Sequence, residues 1–175
     1  MSVTDSTCAP PEYQYPSFMS RIEETNPGGV FGNEMGFTAK EGPRNKTEID
    51  TIFQFTDIPT SSSICQLELF FHAGDFVESD SSLVNVYITD KEAVEPVSWS
   101  SAPKARCLFG SFELASGFSM EKDVVAVVGS SACKPTLTFR ASLAEDAITG
   151  RVEFYQENPR PGGPRAQGFR VRHGV

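Results

Sequence analysis

The chain has 175 residues, 39% hydrophobic and 22% charged, a length and composition that fit one globular domain able to bury roughly 70% of its unfolded-chain surface. No apolar run approaches the roughly 18 residues of a membrane-spanning helix, so no membrane span is expected. A formal net charge of −8 repels phosphate backbones and anionic headgroups, which argues against nucleic acid as a partner.

Residues 1–16 are polar and carry Pro10, Pro11 and Pro16. They read as an extended amino-terminal arm ahead of a single domain over 17–175. Between 26 and 47 the turn formers Asn26-Pro27-Gly28-Gly29, Gly32-Asn33, Gly36 and Gly42-Pro43 leave no room for a helix of ordinary length. From residue 49 onward apolar side chains recur with period two in segments rich in Val, Ile, Phe and Thr. Ile49, Thr51, Phe53 and Phe55 share one face of a strand, and Cys65, Leu67, Leu69 and Phe71 share another.

Further strands are predicted around Val84–Ile88, Leu108–Leu114, Val124–Val128, Leu137–Ala141, Val152–Phe154 and Phe169–His173. Asp90–Val94 and Ser142–Ala147 suggest single helical turns, too short to stand as helices. Asn158 to Gly168 reads as a loop. Within the last 25 residues Arg151, Arg160, Arg165, Arg170 and Arg172 oppose only Glu153 and Glu157, and these arginines read as the solvated face of a terminal strand and its loop. The expected fold class is an all-β, jelly-roll-like antiparallel sandwich of about eight or nine strands.

Four widely spaced cysteines, Cys8, Cys65, Cys107 and Cys133, lack the C-x-x-C spacing of zinc sites and thiol-exchange sites. They predict two disulfides and an oxidising, extracellular compartment. Asn45-Lys46-Thr47 is a glycosylation sequon in a polar turn, which makes Asn45 a candidate modification site. Met1–Thr7 has neither a basic n-region nor an apolar h-region, so a secreted form implies a leader already removed.

Chemistry-bearing patterns are sparse. With two histidines and no G-x-S-x-G elbow, a Ser-His-Asp device has little to build on. His72, at a strand end beside Asp75, Glu78 and Asp80, is the one place where imidazole and carboxylates crowd together. His72 and Asp75 are therefore the candidate acid–base pair, and the same group is the one candidate set of metal ligands, although it lacks the order of a calcium loop. Glu68, Glu113 and Glu153 read as exposed glutamates on sheet faces rather than a glycosidase pair. No glycine loop has phosphate-cradling spacing, so no cofactor is expected. Fourteen phenylalanines read mostly as core. Trp99 in its Ser98-Trp99-Ser100-Ser101 loop suits stacking on a sugar or capping one end of the sandwich, and with Glu78 and Tyr155 it forms the candidate binding set.

Three stretches, Ile49–Pro59, Cys65–Phe71, and Cys133 followed by Leu137-Thr138-Phe139 and Val152-Glu153-Phe154-Tyr155-Gln156, resemble in order and spacing the fungal ubiquitin-3-binding protein C-terminal domain family, the "But-two" type. The resemblance spans about residues 15–175. It implies a secreted or cell-surface β-sandwich from a filamentous fungus, with Cys65 paired to Cys133 and Cys8 to Cys107. The expected function is non-enzymatic binding of carbohydrate or protein at the surface. A cofactor-independent cyclase or isomerase of fungal secondary metabolism, holding an apolar small molecule in a pocket, is the alternative. A partner-binding domain of the ubiquitin-like-modifier activation pathway is the third reading.

Overall fold

The computed structural model describes residues 10–42, 48–144 and 149–174. Cys8 and Asn45 lie outside the described residues. Among the described residues there are thirteen strands: β1 (Glu12–Gln14), β2 (Phe18–Glu23), β3 (Gly36–Glu41), β4 (Ile49–Phe55), β5 (Ile64–Phe71), β6 (Phe76–Ser79) and β7 (Leu83–Thr89). The rest are β8 (Ala105–Glu113), β9 (Gly117–Ser119), β10 (Val124–Ala132), β11 (Leu137–Leu143), β12 (Gly150–Tyr155) and β13 (Gly168–His173). The described residues contain no helix.

Four strands form one sheet in the order β1-β13-β5-β10. Nine form the second along β8-β7-β11-β4-β3-β12-β6-β9, with β2 added beside β4. Every strand pairing is antiparallel. The period-two pattern explains why the sheets face each other. Leu67, Leu69 and Phe71 of β5 and Phe169 and Val171 of β13 turn inward against Phe53 and Phe55 of β4, Phe139 of β11 and Phe154 of β12. Phe53 stacks on Phe169 with ring centres 4.4 Å apart, and Phe37 stacks on Phe154 at 4.6 Å. Phenylalanine rings thus fill the space between the sheets.

The expectation of eight or nine strands is exceeded because short strands carry too few residues for periodicity to register. β1 lies inside the predicted arm and pairs with β13 through Tyr13 and Arg172. β3 occupies the end of the turn-rich stretch and pairs with β12 along six positions. β6 and β9 have four and three residues. Of the two predicted helical turns, Asp90–Val94 is non-helical coil and bend, while Ser142 and Leu143 end β11.

Cys65 is buried on β5 and forms a disulfide with Cys133, just past the end of β10. Cys107 is exposed on β8 and has no disulfide partner among the described residues. The sandwich closes on this side because β8 and β10 approach through glycines. A Cβ on Gly110 would run into the Val128 carbonyl oxygen, and one on Gly129 would sit 2.6 Å from the Phe109 carbonyl oxygen.

The outer sheet faces depart from the predicted polar pattern. Residues 90–104 fold over β2, β4 and β11, so Phe18, Ile22, Ile52, Val97 and Ala102 form a second, smaller core with Trp99 packed against it. On the opposite sheet Glu68, expected to be exposed, is only 3% exposed. Arg170 Nε donates to Glu68 Oε2 at 2.8 Å, with its guanidinium between the Tyr13 and Phe70 rings. A carboxylate can be buried there because a guanidinium beside it supplies both charge and donors.

Candidate functional site

The β12 strand and its neighbours carry the strongest surface signature. β12 alternates Phe154 inward with Glu153 and Tyr155 outward, and pairs with β6 so that Glu153 faces Glu78. On its other side Tyr155 faces Gly36 of β3. Tyr155 is 61% exposed and Phe76 41% exposed, their rings 5.6 Å apart. Phe118, on the next strand β9, is 70% exposed. Three exposed aromatics on adjacent strands make this face the candidate interaction surface.

Polar groups frame these rings. Arg151 Nη2 donates to Glu153 Oε2 at 2.6 Å, and its Nη1 lies 3.1 Å from Glu78 Oε1. The hydrogen bond that Arg151 donates to Glu153, and that carboxylate's charge, hold the Arg151 guanidinium above its ordinary pKa. Asp80, beside Glu78, sits below the usual carboxylate range: its slight burial raises it, but hydrogen bonds from Ser82 and from the Arg151 main chain outweigh that. At the other end Arg21 lies over the Phe31 ring at 4.4 Å and approaches Glu34.

Open clefts of about 270 and 340 Å³ adjoin on this face, and a separate one of about 320 Å³ lies beside Phe118. The first two share Glu34 and Tyr155, and the third contains Glu78, Phe118 and Arg151. The face crosses β3, β12, β6 and β9, three strand spacings or roughly 14 Å. It is therefore a shallow track rather than a pit.

Two of the three predicted binding residues, Glu78 and Tyr155, thus meet on one face. Trp99 does not join them. It packs against the smaller core on the other half of the sheet, and the Arg140 guanidinium lies 4.6 Å from its ring centre. The predicted His72–Asp75 pair is drawn together differently from the expected ring-to-carboxylate contact. Asp75 Oδ2 accepts a hydrogen bond from the His72 main-chain N–H at 2.7 Å, closing a turn at Gly74. The His72 ring stands edge-on to Phe70, and Glu78 is engaged with Arg151. Among the described residues no three histidine, cysteine or acidic side chains are grouped to hold a metal ion.

A second polar constellation went unread in the sequence. Asp50 on β4 faces outward yet is only 1% exposed, and Arg140 Nε donates to its Oδ2 at 2.6 Å. Its Oδ1 is buried and receives no hydrogen bond from any described donor. Burial pushes the Asp50 carboxyl up to about 7, against the opposing pull of Arg140, and nearby Glu48 adds to the rise. Burial also raises Glu48, which is in hydrogen-bonding contact with Asp50. A second carboxyl this close makes the ionisation of Asp50 harder. The sequence signal was Ile52 beside Asp50: a strand apolar on both faces is covered on both, so a charge within it is buried and must be paired.

The described residues contain no helix long and apolar enough to cross a membrane. Comparisons with protein-family models and with curated proteins find no match for the chain.

Proposed function

We propose that the protein is a non-enzymatic extracellular binding module whose β3-β12-β6-β9 face takes an extended carbohydrate chain. The observation that carries this reading is the exposed Phe76–Tyr155 pair, flanked by the Arg151, Glu78 and Glu153 ion network. Sugar rings offer an apolar face for stacking and hydroxyls around the rim, and this surface offers aromatic rings with charged acceptors and donors beside them. The aromatic side chains sit on strands, so little backbone ordering is needed on binding. The roughly 14 Å track suits several sugar units better than one.

The extracellular setting is supported by the Cys65–Cys133 disulfide and by the resemblance to the secreted fungal family. The phenylalanine-filled interior and the open character of the surface clefts favour a binding module over an enzyme enclosing an apolar substrate.

The test is calorimetric titration of the oxidised protein with tetra- to hexasaccharides of neutral, acidic and amino-sugar types. Binding that Tyr155→Ala and Phe76→Ala each weaken about tenfold, a loss near 1.4 kcal/mol, with unfolding temperature unchanged, supports the reading. No saccharide binding, or binding that both variants leave intact, overturns it.

A further inference from the structure

Asp50 and Glu48 line an open cleft of about 420 Å³ on the half of the nine-stranded sheet away from the aromatic track. Its walls are Glu41, Glu48, Asp50, Tyr87, Arg140 and Ser142. Three carboxyls face one guanidinium, and that guanidinium is already engaged by Asp50 Oδ2 and by the Trp99 ring. Asp50 Oδ1, buried on the cleft wall, lacks a protein donor. A buried acceptor without a protein donor is costly, and a donor from the cleft side would relieve it.

We propose that this cleft binds an organic cation bearing N–H groups, an ammonium or a guanidinium, whose donors serve the Asp50 and Glu48 carboxyls. The surplus of carboxyls over guanidinium supplies the charge complementarity. Tyr87 supplies an aromatic wall suited to a cation. A divalent metal fits less well, because the Arg140 guanidinium occupies one side of Asp50 and no metal-holding trio exists among the described residues.

The proton balance is explicit. Below about pH 7 Asp50 carries a proton; on binding that proton is released to solvent, and the incoming cation forms charge-assisted hydrogen bonds to the resulting carboxylates. No covalent bond changes. The charged and titratable groups facing the pair are Arg140 from β11, Tyr87 from β7, Glu41 from β3 and Glu24 from the turn after β2. Glu24 and Glu41 both make the ionisation of Glu48 harder and so favour a cation's arrival.

The experiment is a ¹⁵N NMR titration of the intact protein at pH 6, 7 and 8 with butylammonium chloride and methylguanidinium chloride. Tetramethylammonium, a cation without donors, and calcium are the comparison probes. Saturable shifts at the Arg140 Nε–H and at the Tyr87 and Ser142 amides are expected. Apparent affinity should rise up to about tenfold per pH unit below the titration of the pair and level off above it. Glu48→Gln, at a half-buried position, should weaken binding at least about tenfold at pH 8 while the thermal unfolding midpoint confirms a folded protein; Asp50→Asn serves as a second variant. The proposal is overturned if neither donor-bearing cation binds at any of the three pH values. It is equally overturned if tetramethylammonium or calcium binds there as tightly, or if Glu48→Gln binds like the parent.

Discussion

Trp99 lies over Arg140, with the guanidinium carbon 4.6 Å from the centre of the ring system, and this stacking takes one face of the only tryptophan out of contact with any ligand. The loop that carries Trp99 is fixed from both ends. Ala93 N–H donates to Gln54 Oε1 at 2.8 Å, and Lys104 N–H donates to Asp90 Oδ1 at 2.9 Å. The tryptophan therefore clamps the 90–104 segment onto the sheet.

Trp99→Ala is accordingly expected to lower stability by about 1–3 kcal/mol through lost burial and the lost cation–π contact. Saccharide binding on the β12 face should be unchanged. Urea unfolding and calorimetry on the same variant check both halves, and a variant that keeps its stability but loses saccharide binding would move the site to Trp99.

Asp50 gives the protein a pH signature. Its carboxyl keeps a proton in the folded state up to about pH 7, whereas in the unfolded chain it releases that proton near pH 4. Between these values the folded state binds more protons, so this group's contribution to stability falls as pH rises, on the order of 1.4 kcal/mol per unit, and is flat above about 7. Other carboxylates act in the opposite direction, so the measurable quantity is the difference between the parent and Asp50→Asn. Urea midpoints from pH 4 to 8 should show the parent losing ground to the variant across that window and no further above it.

Glu68 and Arg170 make the opposite kind of pair, one whose partner cannot be removed cheaply. Arg170→Ala would strand a nearly buried carboxylate and is expected to cost about 3–5 kcal/mol at neutral pH. Replacing the pair together, Glu68→Gln with Arg170→Met, should cost much less. A double-mutant cycle by chemical denaturation measures the difference.

The Cys65–Cys133 bridge closes a loop of 68 residues in sequence separation. Chain-entropy reasoning assigns such a loop roughly 4 kcal/mol, so Cys65→Ser paired with Cys133→Ser should lower the unfolding temperature by roughly 8–16 °C for a chain of this size. Scanning calorimetry provides the comparison, and non-reducing peptide mapping should recover the Cys65–Cys133 peptide pair from the parent.

Gly110→Ala tests how the sandwich closes. A methyl group there meets the Val128 main-chain oxygen, which cannot rotate away, so β8 and β10 must separate. A loss of about 1–3 kcal/mol is expected, with hydrogen exchange speeding up in β8 and β10 but not in β3 or β12.

The all-β class was legible because alternation in β4, β5, β11 and β13 repeats over six to eight residues each, enough for one face to declare itself. The inward Cys65 followed from the same alternation with Leu67 and Leu69. Glu78 and Tyr155 could be singled out as residues, but their meeting on one face depends on β6 pairing with β12, strands more than 70 positions apart, and pairing between distant strands is not encoded in local periodicity. What covers an outer face was equally beyond the sequence. Glu68, Asp50 and Arg140 occupy positions that alternation assigns to solvent, and only the packing of Tyr13 and Phe70 around one guanidinium and of the 90–104 segment around the other buries them. The local pattern determined which side chains face away from the main core; the tertiary structure decided which of those remain in water, because a second layer over a sheet comes from chain segments whose position no period of two or 3.6 specifies.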